Sequence, residues 1–85
     1  MTVIKYPEIA KKVVLDWYIE RGINELTIDD VYIVWFAKTL QNWKALVSTT
    51  VQDTRYFEVT FNGVTNEIYL DAYVKEENKV LKYHD

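Results

Sequence analysis

Val31-Tyr32-Ile33-Val34-Trp35-Phe36-Ala37, continuing into Lys38-Thr39, is the stretch whose reading decides the fold. Its first seven residues are all apolar or aromatic, and many are β-branched. Such side chains lose χ1 freedom in a helix and suit the pleated surface of a strand, so residues 31–39 are read as a strand. A helix is the competing reading, because Thr27 and Asp30 have the spacing of a loose capping box and Val34, Lys38 and Gln41 would continue it. β-Branching and aromatic content decide for the strand.

Working outward from there, Gln41-Asn42 marks a turn into a second strand at 44–51, and Gln52-Asp53-Thr54-Arg55 leads into a third at 56–62. Phe57, Val59 and Phe61 alternate with Tyr56, Glu58 and Thr60, the period-two pattern of a half-buried strand. Asn62-Gly63 offers the positive φ angles of a tight hairpin, with Val64-Thr65-Asn66 available to lengthen the loop. A fourth strand follows at 67–75. Loops of two and of four residues differ in register by two positions, so either one sets Phe57 and Val59 on the same face as Ile68, Leu70, Ala72 and Val74.

Towards the N-terminus, Pro7 suits a first helical turn and Gly22 a helix stop, giving a helix at about 7–21. Ile9, Ala10, Val13, Val14, Trp17 and Tyr18 form its apolar face, while Glu8, Lys12, Asp16 and Glu20 line the wet one. Asn24 to Asp30 is a connector anchored by Ile23, Leu26 and Ile28. The expected architecture is α+β: one N-terminal helix packed on a four-stranded antiparallel meander, ending in a polar tail at 76–85.

Eighty-five residues leave room for one small core and a single domain. With no cysteine there is no disulfide framework and no thiolate chemistry, which fits a reducing cytoplasm. The first residues lack the pattern of a signal peptide, and no run reaches membrane-spanning length, so a soluble cytoplasmic protein without a membrane partner is expected. The net charge of −3, with both signs interspersed, argues against nucleic acid, since phosphate neutralisation needs clustered Lys and Arg.

The feature that bears on function is an imbalance between helix and sheet. One helix covers one sheet face, yet the first strand is apolar on both: Val31, Ile33 and Trp35 on one side, Tyr32, Val34 and Phe36 on the other. A one-residue change in a loop, or a bulge, would exchange the sets, so the exposed one stays open. Either set joins a face already carrying Tyr56, Tyr69 and Tyr73, and aromatic side chains beside sparse charge are typical of interface centres. The candidate interaction residues are Tyr32, Trp35, Phe36, Trp43, Tyr56, Tyr69 and Tyr73. They imply a non-enzymatic module that binds another protein or its own copy. Against this stands burial of the same surface by Met1 to Tyr6 or by Val80-Leu81-Lys82-Tyr83.

Other constellations carry less. His84 is the only histidine and sits beside the C-terminal Asp85, which leaves no positioned imidazole base and no His-rich metal site. Asp29-Asp30 lacks the further oxygens that calcium needs, and Ser48, Thr49 and Thr50 have no base to activate them. Neither a catalytic group nor a metal or cofactor is assigned. Two alternatives remain: a single-stranded nucleic-acid module using Trp43, Lys44, Lys38, Arg55 and exposed Tyr side chains as stacking and phosphate contacts, and a small-ligand site built on Glu58 and Asp71 in a cupped sheet face.

The run from Asp30 to Thr49, with Tyr56 to Gly63 and Tyr69-Leu70-Asp71-Ala72-Tyr73, resembles a family of short uncharacterised proteins encoded by phages and prophages of Gram-positive bacteria. The resemblance covers about the last two thirds of the chain. It implies a role inside an infected or lysogenic cell, with a host or phage protein as partner, and supplies no site residues. A helix before a four-stranded meander is also similar in shape to cystatin-like folds, an analogy without functional content.

Overall fold

The computed structural model describes residues 6–83, in the order α1 (Tyr6–Glu20), a short 3-10 turn (Ile28–Asp30), β1 (Val31–Thr39), β2 (Asn42–Thr49), β3 (Arg55–Asn62) and β4 (Glu67–Val74). The strands form one antiparallel sheet in sequence order β1-β2-β3-β4, and the helix lies across one of its faces, over β1, β2 and β3. This is the α+β meander expected from the sequence. Expectations for Met1–Lys5 and for His84 lie outside the described residues.

Helix α1 starts with Pro7 in its first turn, where a missing N–H costs no intrahelical bond. It stops at Gly22, whose φ of 81° lets Gly22 N donate to Ile19 O at 3.0 Å and Ile23 N to Tyr18 O at 3.1 Å. Ala10, Val14 and Tyr18, four residues apart, are fully buried, with Val13 and Trp17 half-buried beside them. Ile9, expected on the packed face, lies at its margin and is exposed. Thr27 and Asp30 do interact as their spacing suggests, with Thr27 N donating to Asp30 Oδ2 at 2.8 Å, but they close the 3-10 turn and no longer helix follows.

A bulge in β1 resolves the question that the sequence leaves open. Ile33 pairs with Val47 and Trp35 with Leu46, so Val34 is an extra residue without a partner. Upstream of it Val31 and Ile33 face the helix; downstream the parity inverts, and Phe36, paired with Ala45, faces the helix instead. Neither alternating trio stays together. Tyr32 and Trp35 end on the outer face, with the bulged Val34 exposed beside them.

β2 begins at Asn42, two residues before the expected start, because the turn is Leu40-Gln41, with Leu40 at a φ of 56°. The β3–β4 loop takes the longer form, residues 63–66, and its left-handed residue is Asn66 at φ 57°, so Asn62-Gly63 does not supply the turn geometry. Gly63 is needed for another reason: a Cβ there would lie 2.2 Å from the Gln41 carbonyl oxygen. The β1–β2 and β3–β4 loops meet at this end of the sheet, where Gly63 N donates to Asn42 Oδ1 at 2.8 Å. Phe57 pairs with Ala72, Val59 with Leu70 and Phe61 with Ile68, the face assignment anticipated for either loop length.

The core fills the space between helix and sheet with Val31, Trp43, Ala45, Val47, Phe57 and Val59 beneath Ala10, Val14 and Tyr18. At the loop end Trp43 stacks on Phe61 at 5.7 Å and sits beside Phe36 at 5.8 Å. At the other end Phe57 meets the edges of Trp17 and Tyr18 at 5.1 and 5.5 Å. There the buried Tyr18 hydroxyl donates to Asp53 Oδ2 at 2.8 Å, and Arg55 Nη1 donates to the same oxygen at 2.7 Å. The helix stops short of β4, so Ile68 and Val74 stay 42% and 65% exposed although they point to the helix side.

Candidate functional site

The outer sheet face is assembled by strand parity. Trp43, Ala45, Val47 and Thr49 on β2 and Phe57 and Val59 on β3 are buried, so their neighbours Lys44, Leu46 and Ser48 on β2, and Tyr56, Glu58 and Thr60 on β3, project to the opposite side. Pairing extends the face to β4, where Tyr56 lies opposite Tyr73, Glu58 opposite Asp71 and Thr60 opposite Tyr69. On β1, Tyr32 lies opposite Ser48 and Trp35 opposite Leu46. Trp35 is 52% exposed and Tyr69 47% exposed, and no helix or strand among the described residues lies over them.

Five of the seven candidate interaction residues, Tyr32, Trp35, Tyr56, Tyr69 and Tyr73, share this face. Phe36 and Trp43 do not. The Val34 bulge turns Phe36 to the helix side, and Trp43, one of the alternating inward residues of β2, is 3% exposed within the aromatic cluster. Val34 and Leu46 also belong to the face; neither is among the seven, and Val34 entered the sequence reading only as a member of one alternating trio. Leu46 was legible from alternation with Ala45 and Val47, whereas the exposure of Val34 follows from a bulge that no local residue pattern announces.

The middle of the face is charged, and Glu67 adds a carboxylate at the end of β4. Lys44 Nζ lies 3.1 Å from Glu58 Oε1, with Asp71 across the ladder. Tyr56 and Tyr73 stack at 5.1 Å with their planes 14° apart. The negative charge of Glu58 pushes the Tyr73 phenol above its ordinary range, helped by partial desolvation and by Asp71. Tyr69 donates to Glu67 at 3.2 Å. Stacked or tethered rings keep their aromatic surface towards solvent with little rotamer freedom left to lose.

Two shallow depressions indent the outer side. One of about 440 Å³ is lined by Trp35, Lys44, Thr60 and Tyr69, the other of about 580 Å³ by Tyr32, Val34, Leu46 and Tyr56. Glu58 and Asp71 line neither, so the cupped acidic site considered from the sequence is not formed around them. Trp43 and the basic residues of the nucleic-acid reading are not gathered beside the exposed Tyr side chains as free contacts. Trp43 is buried, Arg55 is held by Asp53 and Lys44 by Glu58, and Lys38 donates to the Leu40 carbonyl. Among the described residues no three His, Cys, Asp or Glu side chains gather into a metal-binding group, and no helix is long and apolar enough to cross a membrane.

Comparison with curated proteins and with solved structures finds no match to this chain. Comparison with family models does find one, over residues 7–83, so it takes in the helix as well as all four strands and reaches further than the resemblance carried by the strands alone. The chain belongs to that family, DUF6275, a family of unknown function.

Proposed function

We propose that this protein is a non-enzymatic protein-interaction module that docks its partner on the outer sheet face. The observation that carries this reading is the gathering of Tyr32, Trp35, Tyr56, Tyr69 and Tyr73 on one face that α1 leaves bare. Rigid aromatic area with a polar hydroxyl at the rim, beside the few charges of Lys44, Glu58, Asp71 and Glu67, has the composition of an interface centre. A contiguous apolar surface of this kind is uncommon on a small protein without a partner. The resemblance to phage- and prophage-encoded proteins supports a host or phage protein as that partner and the bacterial cytoplasm as the place of action; a second copy is the alternative occupant.

The test is the double variant Trp35→Ser, Tyr69→Ser. Both side chains are about half exposed, so the variant should melt within roughly 1 kcal/mol of the parent chain. Captured quantitatively from a producing cell, a partner of the face is enriched on the parent chain and lost on the variant. If nothing that the parent binds is lost on the variant, the face is not a docking surface.

A further inference from the structure

The two edges of the sheet are unlike each other. β1 is interrupted by the bulged Val34, one of the ways in which sheet edges are blunted against pairing. β4 keeps an unbroken register with β3 from Asn62↔Glu67 to Arg55↔Val74, with neither proline nor bulge. Lys75 N donates to Thr54 O at 2.8 Å and continues the same ladder. Lys75 therefore directs its N–H towards β3, and by alternation so do Tyr73, Asp71, Tyr69 and Glu67. The backbone groups of Ile68, Leu70, Ala72 and Val74 point the other way, out of the sheet. Among the described residues no backbone group bonds to them from that side. Their side chains lie on the helix side of the sheet, where α1 does not reach, and all but Leu70 are exposed.

A row of unpaired backbone donors and acceptors beside apolar side chains selects an extended strand as its complement. The sequence of β4 makes that strand its own copy. Antiparallel pairing with Leu70 opposite Leu70 sets Ile68 against Ala72 on the helix side. On the outer side it sets Tyr69 against Asp71 and Glu67 against Tyr73, with no like charges opposed. Shifting the register by two positions puts Asp71 against itself in one direction and Glu67 against Asp71 in the other, both repulsive. The bulged edge of β1 is a poor acceptor for β4, which disfavours head-to-tail growth and leaves the closed twofold arrangement.

We propose that β4 is a homodimerisation edge, onto which the β4 of a second copy adds antiparallel with Leu70 at the twofold axis, joining two four-stranded sheets into one. The pairing leaves the outer aromatic face open and does not depend on what that face binds.

The experiment is sedimentation velocity on the full chain over a wide concentration range, with amide hydrogen exchange read residue by residue at both ends of it. Dimers should form as concentration rises, and the amides of Ile68, Leu70 and Ala72 should then slow by about tenfold or more, while those of Tyr69, Asp71 and Tyr73 change little. Ala72→Pro removes an outward N–H without breaking the β3–β4 ladder, so the variant should keep its circular dichroism and remain monomeric. A chain that stays monomeric throughout overturns the proposal. So does a dimer in which the amides of Ile68, Leu70 and Ala72 exchange as fast as in the monomer; that result would seat the second copy on the aromatic face and support the reading above.

Discussion

The Asp53 carboxylate is the residue on which one end of the molecule closes. Its Oδ2 accepts from the buried Tyr18 hydroxyl and from the Arg55 guanidinium, and its Oδ1 accepts from Arg55 N at 3.1 Å. Partial burial works to raise its pKa, but these hydrogen bonds and the Arg55 charge outweigh burial and hold it below the ordinary carboxylate range. A carboxylate that binds its proton more weakly in the folded chain stabilises the fold above its unfolded pKa of about 4, and that contribution is lost as pH falls through the folded value. The Tyr18 phenol is raised, first by burial and then by Asp53, so its contribution holds below about pH 10 and is lost in stronger alkali. Asp53→Asn should cost about 1–3 kcal/mol at neutral pH, since the Tyr18 hydroxyl and the Arg55 guanidinium lose an anionic acceptor. Urea melts of parent and variant should converge as pH is lowered from about 5 to 2. Tyr18 was legible in the sequence as a packed helix residue; its link to Asp53, 35 positions away, was not, because a long-range polar pair leaves no periodicity.

At the scale of the element, β-branched and aromatic composition identifies β1 as a strand, and the alternation in β3 fixes the faces of β3 and β4. What the sequence withheld was the bulge. Val34 differs in no local respect from its neighbours, and the insertion shows only when β1 is counted against β2. It inverts the parity of everything downstream, and this placed Phe36 on the wrong side of the expected interface. Deleting Val34 should therefore be tolerated: Ile33 would remain opposite Val47, with Trp35 and Phe36 still opposite Leu46 and Ala45 in an uninterrupted ladder. The deletion should keep the parent's α-proton cross-peaks between Ile33 and Val47 and between Phe36 and Ala45, both non-hydrogen-bonded pairs of the ladder. Loss of those cross-peaks, or an unfolded chain, would show that the bulge is required for folding. The deletion would also remove the feature that blunts the β1 edge, so a greater tendency to associate is expected from it.

Across the whole molecule, cohesion is concentrated under the helix and falls away beyond β4. Val80, Leu81 and Tyr83 are 82%, 76% and 87% exposed, so the segment 80–83 does not bury itself against the outer face as the sequence had allowed. Truncation after Lys75 should shift stability by no more than about 0.5 kcal/mol, a difference that chemical denaturation can bound. At the far end of the sheet, the close approach of the two loops determines where the sequence has freedom to drift. Any side chain at position 63 would collide with the Gln41 carbonyl, while Val64 and Thr65 next to it face water. A library randomised over these three positions and sorted for folded chains should return glycine at the first and a broad mixture at the other two.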